Sequence, residues 1–397
     1  MAERLAFVTP WYGRQIPGGA EAECRDTARA LAARGVAVEI LTTCARDHAS
    51  EWADHHPEGV TEEDGLLVRR FKVRSRDPRR FDRFNERLLR GGRLAPWEER
   101  EFVAHSIHSA DLYTYLAAER ERYWYAFIPY CFGTTWEGAL LAPERSVLIP
   151  CLHNEPYARL AATAEVLRRV RAVCFHVPAE RALGQALAGG DPARGHLVGE
   201  GVDTAVASDP ERFRRKYKIH DPFLLYAGRK ATGKNTPLLV EYFARYRLTH
   251  RDRRLKLVLI GPGGVFIPRR LADDVRDLGL VPVQDKFDAF AAALTLCQPS
   301  LLESFSIVMM EAWLCGSPVV VHERCAVTRD HCLASNGGLF FAEYFEFAEV
   351  LDLLLGDPGL RSRLAAQGRA YVERHFTWDR VTANYLGVFR QLGARLS

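Results

Sequence analysis

Residues 297–311 read CQPSLLESFSIVMME. An apolar run, 297–301, enters a short polar turn, and a second apolar run, 306–314, has the length of a helix. This is the layout of a buried strand that ends in a turn and restarts as a helix. Glu303 falls in the turn at the carboxyl end of the strand, where an open α/β sheet presents its functional groups. The amides of Phe305, Ser306 and Ile307 stand at the helix start, where backbone donors lack intrahelical partners and suit a phosphate or hydroxyl oxygen; Ser304 precedes them. Glu311 lies about two turns further in, on an otherwise apolar stretch, and a carboxylate there needs partners. Two ribose hydroxyls would serve. So would a structural arrangement in which Glu303 caps the helix and Glu311 pairs with a Lys or Arg in the core, and the spacing leaves both open.

The same alternation runs outward in both directions. Strands are expected at 5–9, 36–42, 67–73, 126–130, 146–151, 172–177 and 196–199, separated by helix-compatible segments such as 20–33, 98–118 and 156–169. A second series follows, with strands at 223–228, 256–261, 280–283, 297–301, 318–322 and 338–341. Helices are expected at 237–246, 269–278, 288–296 and 306–314. From Phe345 onward the chain reads as helical, with breaks near Gly356-Asp357-Pro358 and Phe376-Thr377. Strands alternating with helices imply parallel sheets covered on both faces. The chain turns polar over 201–218, so the boundary is placed there: an N-terminal Rossmann-like domain at 1–205 and a C-terminal one at 206–379.

Three further features sit at expected strand ends. Gly228-Arg229-Lys230-Ala231-Thr232-Gly233-Lys234-Asn235 follows the strand at 223–227 and carries Arg229 and Lys234, a bidentate donor and a point charge suited to a diphosphate. Asn235 stands where a Walker A loop has Ser or Thr. Gly18 and Gly19, after Pro17, form a turn through which backbone amides can approach a phosphate, though without the dinucleotide fingerprint G-x-G-x-x-G. His153 follows the strand at 146–151, where a lone histidine is more often a structural imidazole than a functional one. No D-x-D occurs, so a diphosphate would be met by Arg229, Lys234 and amide dipoles rather than by a metal held between paired acids.

Composition narrows the class. The chain has 397 residues, 48% hydrophobic and 26% charged, as in a globular protein of about two domains. No apolar run reaches the ~18 residues of a membrane span, and the first residues lack a signal-peptide layout. Nine cysteines without a C-x-x-C pair argue for buried small hydrophobes in a reducing cytoplasm. Net charge is +4, but 66–100 holds twelve Lys/Arg against five Asp/Glu. That stretch reads either as a solvated Arg-rich face or as a contact for an anionic surface, with Trp97 and Phe102 as apolar anchors. RNA-reading signatures are absent, so no nucleic acid partner is expected.

Taken together, the Gly18-Gly19-Ala20 loop, His153, Gly201-Val202-Asp203, Arg229 with Lys234, Glu303-x7-Glu311 and the turn Leu314-Cys315-Gly316-Ser317-Pro318-Val319-Val320 resemble glycosyltransferase family 4. The resemblance covers nearly the whole chain. It implies the GT-B fold, two Rossmann-like domains facing across a central cleft, with the C-terminal helix 380–397 crossing back onto the N-terminal domain. It also implies a retaining, metal-independent enzyme. Such an enzyme would move a hexose-type sugar from a UDP- or GDP-linked donor to a hydroxyl of a glycan or lipid-linked acceptor, in bacterial cell-surface polysaccharide or glycolipid assembly. No cofactor is implied beyond that co-substrate. The location implied is cytoplasmic, with peripheral contact through 66–100 to the anionic inner face of the membrane. Residue by residue, Arg229 and Lys234 would hold the donor diphosphate, Glu311 the ribose and Glu303 the transferred sugar. Ser304, Phe305, Ser306 and Ile307 would lie near sugar or phosphate, Gly18 and Gly19 would approach the diphosphate, and His153 would lie by the sugar. Two positions depart from the family: Ser306 stands where Gly is usual, and Glu200 where Asn commonly precedes Gly-Val-Asp. A sugar-nucleotide epimerase of the same fold and a non-catalytic sugar-nucleotide-binding module are the rival readings.

Overall fold

The computed structural model describes residues 3–14, 16, 18–189 and 194–396. It divides into two compact units, Met1–Gly201 with Trp378–Ser397, and Val202–Thr377.

The first unit is built on an eight-stranded sheet: β1 (Arg4–Val8), β2 (Val38–Thr43), β3 (Gly59–Glu63), β4 (Leu66–Phe71), β5 (Tyr123–Phe127), β6 (Ser146–Leu148), β7 (Ala172–Phe175) and β8 (Gly195–Leu197). Their order is β3-β4-β2-β1-β5-β6-β7-β8, parallel except for the edge hairpin β3–β4. The pleat sends successive side chains to opposite faces. Leu5 and Phe7 therefore join one apolar cluster, and Ala6 and Val8 another. The helix Trp378–Gln391 covers the face that holds Leu5 and Phe7, through Val381, Tyr385, Val388 and Phe389. Asn384 Nδ2 fastens this helix by donating to the Val198 carbonyl at 3.0 Å.

The second unit holds six parallel strands: β9 (Phe223–Ala227), β10 (Lys256–Ile260), β11 (Val275–Gly279), β12 (Thr295–Gln298), β13 (Val319–His322) and β14 (Gly338–Phe341). Their order is β11-β10-β9-β12-β13-β14, the doubly wound 3-2-1-4-5-6 arrangement. Strand order reverses between β9 and β12, so the loops after these two strands diverge and leave a crevice at their carboxyl ends. The corresponding reversal in the first sheet lies between β1 and β5.

Several sequence expectations are corrected. The segment expected to be a helix at 269–278 is a 3-10 turn, Arg269–Leu271, and then the edge strand β11. Its charges, Arg276 and Asp277, mimic an amphipathic helix, but an edge strand tolerates them because one side faces solvent. The strand expected at 280–283 does not form: Leu280 and Val283 are exposed, and Val283 starts the helix Val283–Ala292. The single helix expected at 98–118 is two, Pro96–Ala104 and Ala110–Ala118, with Ser109 capping the second by accepting from Leu112 N. Strand β3 was missed because its residues are polar and mostly exposed. The Asp64-Gly65 hairpin turn, with φ of 55° and 79°, was its signal. Phe102 is not a surface anchor: it is 1% exposed and stacks on Phe81 with ring centroids 4.7 Å apart.

Candidate functional site

The crevice between β9 and β12 gathers the charged residues that the sequence singled out. The loop after β9 is held from below by Lys230, whose side chain is buried. Its Nζ donates to the Gly261 carbonyl and to Asp277 Oδ1, both at 2.6 Å. Tyr226 Oη donates to the Arg229 carbonyl at 2.8 Å. Gly261, at φ +125°, allows this approach: a Cβ there would lie 2.1 Å from the Gly228 carbonyl oxygen. With its backbone so fixed, Arg229 projects an exposed guanidinium that makes no hydrogen bond or ion pair among the described residues.

Lys234 and Glu303, assigned different tasks from the sequence, form a pair here. Lys234 Nζ lies 2.7 Å from Glu303 Oε1 and 3.4 Å from the Leu302 carbonyl. Asn235, in left-handed conformation at φ 57°, donates its side-chain amide to the Pro299 carbonyl at 3.1 Å. These contacts tie the β9 loop to the β12 loop. Glu303 makes no helix-capping bond among the described residues.

Phe305 anchors the turn. Its ring meets Phe376 edge-on at 4.9 Å and His331 at 5.2 Å. Ser306 adopts φ +76°, ψ +66°, the left-handed conformation that glycine takes without cost. The helix Ile307–Leu314 then carries Glu311. The core-pair reading of Glu311 holds for one oxygen: Lys286 Nζ meets its Oε1 at 2.7 Å, while its Oε2 is buried without a hydrogen-bond partner. Burial raises the Glu311 pKa above the ordinary glutamate value, and Lys286 opposes that shift without cancelling it. The site thus keeps a carboxylate oxygen ready to accept a hydroxyl. Lys230 and Lys286 escaped the sequence reading. The signal for Lys230 was a third cation inside Gly228–Asn235, and Lys286 had none.

In the first unit, Gly18 and Gly19 open the helix Gly19–Ala32, and Pro17 lies outside the described residues. A Cβ on Gly18 would lie 1.8 Å from Glu21 Oε2, whose carboxylate is held by Trp11 Nε1 at 2.7 Å. A Cβ on Gly19 would meet nothing within 4 Å, so its backbone has an open approach. His153 is partly exposed, and its Nδ1 lies 3.4 Å from Glu155 Oε1, which also accepts from Tyr130 Oη at 2.8 Å. Glu180, not singled out from the sequence, fixes the backbone before His153 by accepting from Leu152 N at 2.6 Å. On the basic stretch, Arg80, Arg83, Phe84, Trp97, Arg100 and Glu101 line a surface hollow of about 480 Å³. No described helix is long and apolar enough to cross a membrane.

Known proteins with the same pattern cover both units. The family described as Glycosyl transferases group 1 matches residues 209–371, and the Glycosyl transferase 4-like domain matches 18–201. A D-inositol 3-phosphate glycosyltransferase of Jonesia denitrificans is 27% identical, over 94% of this chain and 91% of its own. Among solved structures, the sucrose-phosphate synthase of Thermosynechococcus elongatus superposes with a TM-score of 0.72 at 18% identity, covering 99% of each chain. HepE of Anabaena, solved with UDP and glucose, superposes at 0.68 with 16% identity, covering 98% of this chain and 99% of its own. Both have the GT-B fold, and the likeness shows that fold for this chain.

Proposed function

The chain belongs to glycosyltransferase family 4, and on that premise we propose a retaining hexosyltransferase that needs no metal ion at the diphosphate. That it is a glycosyltransferase using a nucleotide sugar follows from the family. The finer reading is that a UDP- or GDP-linked hexose passes to a hydroxyl of a glycan or lipid-linked acceptor, in bacterial cell-surface polysaccharide or glycolipid assembly. HepE, crystallised with UDP, supports a uridine donor.

The observation that carries this reading is the crevice between β9 and β12. An exposed Arg229 and a Lys234–Glu303 pair stand on the loops at the carboxyl ends of β9 and β12, and a half-satisfied Glu311 lies on the helix that follows. Glu311 Oε2 accepts ribose hydroxyls. Arg229 grips the diphosphate in bidentate fashion. Lys234 leaves Glu303 for the more strongly charged phosphate, and Glu303, so freed, accepts hydroxyls of the sugar. As the glycosidic C–O bond loosens, charge builds on the diphosphate. Arg229 and Lys234 stabilise that charge more in the transition state than in the ground state, which accelerates the step. The acceptor hydroxyl attacks from the leaving-group side and gives its proton to the departing diphosphate. Glu303 positions the sugar and is no nucleophile. Lys234→Ala should lower kcat at least ~100-fold, about 2.7 kcal/mol of lost stabilisation. Steady-state release of nucleoside diphosphate measures this, and a near-normal kcat refutes the assignment.

A phosphorylated small acceptor is the second reading, supported by the names of the Jonesia relative and the sucrose-phosphate synthase. The Arg80–Arg100 hollow suits a phosphate as well as an anionic membrane surface, although Glu101 already pairs with Arg80 at 2.8 Å. Vesicle co-sedimentation separates the two: capture that rises with anionic lipid content supports the membrane, and capture indifferent to it supports the soluble phosphate.

A further inference from the structure

The first unit buries a cluster that the transfer reaction does not use. Glu23 on the helix Gly19–Ala32, Cys151 beyond β6 and His176 after β7 are each at most 8% exposed. One ligand atom from each lies within 4.8 Å of the others. Cys151 Sγ is 3.1 Å from Glu23 Oε2, and His176 Nε2 touches Glu23 Oε1. The other ring nitrogen, Nδ1, faces Glu180 Oε2 at 2.9 Å. Glu180 is itself held rigid, accepting from Leu152 N and His176 N, both at 2.6 Å.

A buried carboxylate that orients the far nitrogen of an imidazole is the arrangement that fixes the tautomer of a metal-binding histidine. Charge points the same way. Glu23, Glu180 and Glu200 are buried together, and His176 is the one basic group facing Glu200 among its strongest electrostatic neighbours. Buried carboxylates in excess of their cations are costly. Tyr385 adds an independent sign. Its hydroxyl is buried without a hydrogen-bond partner, and Glu23, Cys151 and Glu200 are among its electrostatic neighbours. An orphaned hydroxyl beside such a cluster suits a metal-bound water.

We propose that Glu23, Cys151 and His176 form a buried metal site in the first unit, with Glu180 as the carboxylate that orients His176. A sulfur, an imidazole nitrogen and a carboxylate oxygen together select zinc among the common divalent ions. The fourth tetrahedral position falls to Glu200 or to a water held by Tyr385. Binding takes the thiol as thiolate and the imidazole through its Nε2 lone pair, so the protons on those atoms leave to solvent. The ion joins the first helix to the loops after β6 and β7, and so steadies the segment that carries His153. The site is distinct from the donor crevice, and the sugar transfer does not run through it.

The test is the metal content of the full chain, produced without a polyhistidine tag in zinc-containing medium and passed through a chelating resin. Mass spectrometry of the folded protein should find about one zinc per chain. Replacing zinc with cobalt should give a near-ultraviolet thiolate-to-cobalt absorption that Cys151→Ser abolishes and Cys325→Ser, in the other unit, retains. Zinc below about a tenth of an equivalent, with no cobalt–thiolate band in the unmutated protein, overturns the proposal without recourse to any variant. A band that survives in folded Cys151→Ser overturns it as well.

Discussion

Ser306 offers the sharpest check on the geometry of the donor crevice. Its backbone sits at φ +76°, where an L side chain costs about 1–2 kcal/mol relative to glycine. Glycine recovers that cost in the folded state but returns about 0.4–1 kcal/mol through the freer unfolded chain. The hydroxyl complicates a direct comparison. Gln298 Nε2 reaches it at 3.4 Å, a long and weak bond, and Gln298 Oε1 already lacks a partner. Comparing Ser306→Gly with Ser306→Ala removes the complication, since both lose the hydroxyl and differ in backbone strain. Glycine should be more stable than alanine by about 0.5–1 kcal/mol. For a unit of this size that is about 1–4 °C in melting temperature. Scanning calorimetry of the two variants, with denaturant titration as a second measure, reads the difference. Both should keep most of the transfer activity, because position 306 is expected to contribute its amide. Alanine equal to or above glycine would mean that the turn is not left-handed in solution. The arrangement of amides 305–307 argued above would then fail.

Lys230→Met should remove the support of the Arg229 loop and leave Asp277 without its cation. Since Asp277 is 29% exposed and water can reach it, the loss should be about 2–3 kcal/mol rather than the full cost of a buried charge. If Lys230 positions Arg229, which grips the donor diphosphate, donor KM should rise and kcat fall in the folded enzyme, and a purely structural role would leave both intact. Burial pushes Asp288 upward, but the hydrogen bonds from Arg212, the Asp209 amide and Gln284 outweigh it and hold its carboxyl below the ordinary value of 3.8. The stabilisation is therefore present above about pH 4 and is lost as pH falls through the lower folded value. Asp288→Asn should melt lower at neutral pH and show a flatter acid limb; an unchanged acid limb would contradict this. Glu311, whose pKa is raised, should protonate at a higher pH than an ordinary glutamate. Donor KM should climb as pH falls toward the raised Glu311 value, beginning above the range of an ordinary glutamate, and Glu311→Gln should bind donor weakly and show no such limb.

The legible parts of the fold were those where the physics is local. Buried parallel strands such as β9, β10 and β13 are continuous apolar runs, and they stand out against their helices. The breaks at Asp357 and Phe376 separate the helices Tyr344–Gly356, Pro358–His375 and Trp378–Gln391 as the Gly-Asp-Pro and Phe-Thr signals imply. The edge strands β3 and β11 were not legible, because they carry charges on a solvated side and have no pattern of their own. At the site, residue types and spacing pointed to Arg229, Lys234, Glu303 and Glu311. Their partners could not be read, because Lys286 lies 25 residues from Glu311, and Asp277 lies 47 from Lys230. The departure at Glu200 also became intelligible only in three dimensions: its company is Glu23, His176 and Glu180, which are scattered along the chain.

The central claim is that the crevice between β9 and β12 holds a nucleoside-diphosphate sugar. The measurement is a thermal-shift panel of UDP-, GDP-, ADP- and dTDP-sugars, run with no divalent metal added and again with magnesium. A ligand at 100 times its Kd should add ~2.7 kcal/mol of stability. The account predicts one clear responder, shifted equally with and without magnesium, and loss of that shift in Arg229→Ala and Glu311→Ala. A responder whose shift survives both substitutions, or a folded protein that responds to none of the four, would contradict it.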